Sequence, residues 1–418
     1  MFSVFSSVWA LLLGMLFLQV GNGMQGTLLG IRGEIEGFST FDMSLVMSGY
    51  FLGFLFGSRM APKMIRRVGH VRVFAALASL ISAVLIIYPE FAHPYAWSAE
   101  RVLIGFCFSG VYVTAESWLN NAAENETRGK ALSLYMIVQM LGIVSAQALL
   151  LVADPAAHTL FIIPSVLVSL AFAPILLSIS PTPAFETAKP LSLRQLMAVS
   201  PLGCVSMFLL GSVFSAQFGM SSVYGSKIGL SVAQISTFVS TFFIGALVLQ
   251  FPIGWISDRM DRRRLILICA AICGAGGLLG MFLGTVFPML LVAALMVGGM
   301  SNPLYSLIIA HTNDFLDRDD MAAAAGALIF INGLGAVTGP IVTGWLMGRL
   351  GPWAFFLVIA ILSFAVSGYA AWRMTRRPSP PVAETDSFTM VAMSSSPVAV
   401  SVAAEYDSEA AQEDTDNT

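Results

Sequence analysis

The sequence predicts an all-α membrane protein: twelve transmembrane helices in two pseudo-symmetric six-helix bundles. Three observations predict it: scarce charge, twelve apolar runs long enough to cross a bilayer, and a repeat relating the two halves of the chain. Only 11% of the 418 residues are charged and 57% are hydrophobic, with a mean hydropathy of +0.81. A soluble domain carries roughly 25% charged residues. A bilayer core of about 30 Å takes about 20 residues per helical crossing, and helices alone satisfy their own backbone in such long apolar runs.

Taken in order, the first span, 5–31, carries Gln19, Asn22 and Gln25 among Gly21, Gly23, Gly26 and Gly30. No Lys or Arg precedes Arg32, no small-residue cleavage site follows, and the apolar stretch is too long, so it is expected to stay as a helix and not be removed as a signal peptide. Span two is 42–61 and span three 73–91, with a basic run between them. Span four, 96–119, holds Arg101, Tyr112 and Glu116. Span five, 130–152, contributes Gln139 and Gln147, and span six is 158–180.

A Pro-punctuated polar stretch, "SPTPAFETAKPLSLRQ" at 180–195, then breaks the chain. Span seven, 201–223, carries Ser215, Gln217 and Ser221; spans eight and nine are 233–256 and 265–284. Span ten, 286–312, holds Asn302, Tyr305 and His311, span eleven, 321–347, holds Asn332, and span twelve is 352–373. The expected domains are a first bundle at 1–180, a linker at 181–200, a second bundle at 201–375 and an acidic tail at 376–418. The tail's Ser, Ala and Glu content reads as disordered.

Basic residues set the orientation. With both termini in the cytoplasm, 17 of the 21 Lys and Arg fall on the inner side, leaving Arg32, Arg101, Lys227 and Arg349 on the other. The net charge of −3 is due to the tail, whose stretch from Ser379 holds eight acids and no base. Without those eight, 21 basic residues stand against 16 acidic ones, a net of +5 on the inner face. That pattern suits an anionic leaflet and carries no nucleic-acid signal. Cys107, Cys204, Cys269 and Cys273 lie inside spans and read as small packing residues, with no metal site and no cofactor expected.

The repeat appears when the second half is slid against the first by 192 residues. Residues 37–72 then pair with 229–264 without a gap, matching at Gly37/Gly229, Ser39/Ser231, Gly53/Gly245 and Arg67/Arg259 among nine of 36 positions. The same shift pairs Gln25 with Gln217. A shift of 193 pairs Tyr112 with Tyr305, Gln139 with Asn332, and Gly142 with Gly335. Two related six-helix bundles are an architecture of alternating-access transporters, with the substrate held between them near the midplane.

Between spans eight and nine stands "GWISDRMDRRR", 254–264. It resembles motif A of the major facilitator superfamily, Gly-x-x-x-Asp-Arg-x-x-Arg-Arg. The resemblance implies that Asp258 caps a neighbouring helix terminus and that Arg259 and Arg262 latch a cytoplasmic gate; an Asp at a helix N-terminus is favoured by the dipole. The first-half copy, "PKMIRRVGHVR" at 62–72, departs, with Pro62 and Arg66 where Gly254 and Asp258 stand, so its latch must differ. Arg101-x-x-x-Gly105 is similar to motif B. "GLGAVTGP", 333–340, is similar to the antiporter motif C but lies in span eleven, and span five has no Gly-Pro, which argues against multidrug efflux. The register "ESWLN…RGKALSLYM", with its acid Glu116 twelve residues before Arg128, resembles the YcaD-like branch of the superfamily, as does "PIGWISDR". The similarity spans about residues 5–375 and implies no particular substrate.

Glu116 lies about 12 Å below the midpoint of span four, at 1.5 Å per residue from Phe108. A charge in that layer costs about 2.5–3.5 kcal/mol on insertion scales, so it must face a cavity or a partner. Two readings stay open: a gate pair with a base such as Arg67, or a proton or cation site that couples transport. In the family, spans 1, 4, 7 and 10 line the pathway, flanked by 2, 5, 8 and 11. Gln19, Asn22, Gln25, Arg101, Tyr112, Gln139, Gln217, Asn302, Tyr305 and Asn332 are therefore the expected substrate-binding set, with helix-to-helix bonding as the plainer alternative. Arg101 reads as an anion anchor or an outer-gate ion pair, and His311 as gate packing or proton relay.

The expectation is a secondary active transporter of a small organic solute, with protons as the candidate coupling ion, in the lipid bilayer of a cell membrane and monomeric. A drug or metabolite efflux antiporter is the alternative within transport. A polytopic sensor or enzyme is the remote one, since no catalytic motif is present.

Overall fold

The structure, a computed structural model, describes residues 2–122, 125–174, 192–316 and 318–376, and contains no strand among them. The expected acidic tail and most of the expected linker, with Lys189 and Arg377, lie outside the described residues. In the first half the helices are α1 (Phe2–Ile35), α2 (Thr40–Val68), α3 (His70–Ile87), α4 (Pro94–Ala122), α5 (Asn125–Leu149) and α6 (Thr159–Ala171). In the second they are α7 (Leu193–Val199), α8 (Pro201–Ser215), α9 (Ser221–Lys227), α10 (Val232–Ser257), α11 (Arg262–Leu283), α12 (Phe287–Asn313), α13 (Arg318–Leu350) and α14 (Ala354–Met374). Among the described residues nine segments are long and apolar enough to cross a membrane, and Ser133–Leu149 and Thr159–Ala171 are shorter apolar helices.

Two details differ from the sequence reading. Span seven is not one continuous α-helix: a π-turn at Ala216–Met220 joins α8 to α9 and carries Gln217. The stretch read as linker also holds the helix α7, set by a capping box in which Ser192 and Gln195 bond each other's backbone N–H groups.

The repeat holds in local chemistry. Gly37 and Gly229 both take positive φ, at 75° and 76°, where a side chain would be strained. Two residues later, Ser39 pairs with Asp42 to open α2, and Ser231 pairs with Gln234 to open α10, each as a capping box.

It holds in packing too. A Cβ on Gly105 of α4 would overlap the carbonyl of Tyr50 on α2, and one on Gly298 of α12 would overlap that of Phe242 on α10. Gly53 faces the Val102 carbonyl as Gly245 faces that of Leu295. Small residues let these backbones touch, which supplies the dispersion contact that drives helix association in lipid.

The chain forms two compact units that cut across the repeat halves. The first is made of Met1–Thr187, Ser215–Ser240 and Val337–Phe355; the second of Ala188–Phe214, Thr241–Ala336 and Phe356–Thr418. In the first unit, second-half segments close over the end where α1 finishes and α2 begins. Gly30 lies against Ser222, and Gly344 against Ser44. Ser48 donates to the Val337 carbonyl, and Lys227 pairs with Glu34 at 2.6 Å. In the second unit, Gly211 and Gly335 bring α8 and α13 together, and Ser212 donates to the Gly335 carbonyl at 2.9 Å.

Candidate functional site

The first unit buries a continuous polar chain. Gln19, Asn22 and Gln25 recur every third residue and so share one side of α1. Gly142 of α5 sits directly on the stem of Gln19, which lets Gln139 reach it. Gln19 Nε2 donates to Gln139 Oε1 at 2.8 Å, and Gln19 Oε1 accepts from the Tyr112 hydroxyl at 2.6 Å. Asn22 Nδ2 donates to Tyr112 at 3.0 Å and to the Tyr50 hydroxyl at 3.2 Å.

Tyr50 hands the chain on to Arg101, whose guanidinium carbon stands 4.8 Å from the Tyr50 ring centroid. Arg101 Nη1 donates to Gln25 Oε1 at 2.9 Å, and Nη2 lies 3.6 Å from Met47 Sδ. The close passage of α2 along α4, permitted by Gly53 and Gly105, is what sets Tyr50 beside Arg101.

Arg101 is fully buried, and among the described residues no carboxylate pairs with it. Its Nε, the Gln25 Nε2 and the Asn22 Oδ1 are all buried without a hydrogen-bond partner. Two of those three atoms are donors beside a positive charge. Removing a guanidinium from water costs several kcal/mol. The Tyr50 face returns about 0.5–2 and the Gln25 bond about 1.5–3, which leaves room for an anionic or acceptor-bearing ligand.

Glu116 is 2% exposed, one helical turn beyond Tyr112, and accepts from the Tyr135 hydroxyl of α5 at 3.1 Å. Its neighbour Ser117 bonds His70 of α3 at 3.0 Å. Arg67 is exposed and forms no ion pair with Glu116.

The remaining candidates divide. Gln217 belongs to the first unit, buried in the π-turn. In the second unit Asn302 Nδ2 donates to the Gly298 carbonyl of its own helix at 3.2 Å, and Asn332 Nδ2 to the Met207 carbonyl of α8 at 3.2 Å. Both amides serve backbone carbonyls, Asn332 across to a neighbouring helix and Asn302 within its own. Tyr305 and His311 are buried, and His311 meets Phe315 edge-on at 5.2 Å.

In the motif A loop, the cap of α11 is Asp261, which accepts from Arg263 N at 2.9 Å, while Asp258 lies exposed in the turn before it. Arg259 folds back over Trp255, 4.2 Å from its ring. Arg262 is buried in an ion pair with Asp314 and donates to the Ala310 carbonyl. Tyr50, Tyr135 and Asp314 escaped sequence reading. A tyrosine in an apolar run looks like core, and Asp314 lies among the charges of "DFLDRDD" with nothing to single it out.

Among the described residues, nine helices long and apolar enough to cross a membrane, in two repeated halves that bury polar groups, define a polytopic carrier-type membrane protein. The chain matches the Major Facilitator Superfamily profile over residues 11–224 and again over 202–404. It belongs to that superfamily. It is similar to the MFS-type transporter YcaD of Escherichia fergusonii, 24% identical over 380 residues covering 90% of this chain and 98% of the relative. It is also similar to an MFS-type transporter of Yersinia enterocolitica, 28% identical over 84% of this chain and 92% of that one. It is therefore a membrane transporter of the YcaD branch and not an enzyme. Among solved structures, a variant of the nucleoside transporter NupG superposes with a TM-score of 0.76 at 14% identity, covering 88% of this chain and 99% of that one. The transporter FucP in its outward conformation gives 0.55 at 16%, covering 87% and 98%.

Proposed function

We propose that this chain is a secondary active transporter that moves a small organic solute by alternating access and holds an anionic or zwitterionic group of that solute at Arg101. The observation that carries the reading is the buried guanidinium with no carboxylate partner among the described residues, bonded to Gln25 and set against the Tyr50 ring. An intramembrane charge without a counter-ion is stabilised when a ligand brings one.

The asymmetry of the repeat supports the same assignment. At the positions paired with Asn22, Tyr50 and Arg101 the second half has Phe214, Phe242 and Ala294. Polar recognition is concentrated in the first half. The basic residues orient both termini to the cytoplasm, in the inner membrane of a bacterial cell, and the end closed by Gly30 and Ser222 is then the outer one. The carrier works as a monomer.

Burial of Glu116 under the Tyr135 hydroxyl, in the unit that holds Arg101, supports proton coupling as part of this reading. The test is counterflow in proteoliposomes loaded with a metabolite anion that stabilises the purified protein. Labelled solute should accumulate with wild type and not with Arg101→Gln. Equal accumulation with both would reject Arg101 as the anchor.

A further inference from the structure

The two copies of the motif A stretch differ in charge. The shift of 192 that relates the halves sets Arg66 and Gly69 where Asp258 and Asp261 stand. In the second half Asp261 caps α11, accepting from Arg263 N at 2.9 Å, and holds the Arg263 side chain at 3.3 Å. In the first half Gly69 gives α3 no side-chain cap, and no acid stands in the first turn of that 18-residue helix.

Around this turn Arg59, Lys63, Arg66, Arg67 and Arg72 are all exposed, and no acid occurs in 59–72. Arg59, Lys63 and Arg67 follow at intervals of four residues, so they stack along one side of the end of α2, where like charges repel. Arg72 lies in the first turn of α3, at the positive end of its dipole. Lys63, Arg66, Arg67 and Arg72 form no ion pair among the described residues. Positive charge gathered in this way by two helix ends is stabilised by a segment that brings a block of negative charge.

The sequence holds such a block on the same side. Glu405, Asp407, Glu409, Glu413, Asp414 and Asp416 place six acids, with no base, in the stretch 405–416. That stretch lies outside the described residues, and its charge is read from the sequence. An even number of spans separates the turn from the tail, so both lie on one face of the bilayer whichever way the chain is inserted. The chain between Arg376 and Glu405 spans up to about 100 Å when extended, against about 30 Å for the hydrocarbon core of a bilayer. We propose that the α2–α3 turn is the docking surface for the acidic segment 405–416 of this same chain. Each exposed pair is weak alone, but tethering raises the local concentration of the segment to about the millimolar range, so several weak pairs act together. The surface shares no residue with the Arg101 network.

The full-length protein is placed in vesicles of phosphatidylcholine, with and without phosphatidylglycerol, and treated with a carbodiimide, which joins a carboxylate to an amine it already touches. Mass spectrometry then maps the joined peptides. Lys63 is the lysine of the patch, and Lys130 and Lys189 are the comparison. Lys63 should join the acids of 405–416 in both kinds of vesicle. The yield should fall about fivefold in about 1 M sodium chloride, where the screening length is about 3 Å. It should fall as far in the double variant Arg66→Gln, Arg72→Gln, which keeps Lys63. Absence of the Lys63 link, equal linking to Lys130 and Lys189, or a yield indifferent to salt and to the two substitutions would overturn the site. A link that forms in phosphatidylcholine and vanishes with phosphatidylglycerol would give the patch to the leaflet and overturn the tail as its occupant. Links between heavy-isotope and light chains mixed in one sample would assign the segment of a second copy and overturn docking within one chain.

Discussion

Arg101 donates from Nη1 to Gln25 Oε1 at 2.9 Å in a fully buried setting. The pair joins α4 to α1, and Tyr50 of α2 covers the same charge.

The network should weaken in steps. Tyr112→Phe removes the donor to Gln19 Oε1 and the acceptor of Asn22 Nδ2, leaving buried groups unsatisfied at about 1–3 kcal/mol. Ligand affinity measured by thermal shift should fall by tenfold or more. Asn302→Ala, whose amide bonds only its own helix, should change affinity little.

Helix contacts should respond to single methyl groups with opposite signs. Gly105→Ala and Gly298→Ala each push a methyl into a neighbouring carbonyl and should cost about 1–3 kcal/mol, read as a lowered Tm. Gly368→Ala meets nothing within 4 Å and should raise Tm slightly, since Gly in a helix costs about 0.5–1 kcal/mol relative to Ala.

The two ion pairs should differ sharply. Asp314→Asn removes the carboxylate that pairs with buried Arg262 and should cost about 3–5 kcal/mol. Glu34→Gln breaks the partly exposed pair with Lys227 and should cost under about 1 kcal/mol. Thermal unfolding of the two variants in one detergent decides it.

Closure of the Gly30 end should be blocked by Gly30→Val, because even a methyl would overlap the Ser222 side chain. A cysteine placed at Ser222, which is buried, should label slowly in the parent and quickly in the variant. Equal labelling would mean that this contact does not hold the end shut.

Glu116→Gln removes the buried titratable group below Tyr112 while keeping an acceptor for Tyr135. Solute transport should lose its pH dependence and still run down a solute gradient. Unchanged pH dependence would assign Glu116 to structure alone.

Span positions and the repeat were legible because bilayer thickness and backbone satisfaction leave so few options, and the paired glycines kept their partners. Six of the ten candidate binding residues, from Gln19 to Gln139, meet in the first unit: Gln139, Gln19, Tyr112 and Asn22 in one hydrogen-bonded chain, and Gln25 with Arg101 in a second group joined to it through the Tyr50 ring. Polarity in an apolar span marked them out. Polarity does not say what a side chain bonds, so Asn302 and Asn332 looked alike with Asn22 and turned out to hold backbone carbonyls. Tyr50 was hidden because its ring reads as core, and the π-turn at Gln217 because it depends on packing and not on any local signal.

The most direct measurement is the change in Tm of wild type, Arg101→Lys and Arg101→Gln across a panel of metabolite anions, neutral analogues and organic cations. A ligand at 100 times its Kd stabilises by about 2.7 kcal/mol, enough to read. The account predicts that anions or zwitterions stabilise wild type, less so Arg101→Lys, and leave Arg101→Gln unmoved. Stabilisation by cations alone, or by the same anions in Arg101→Gln, would contradict it.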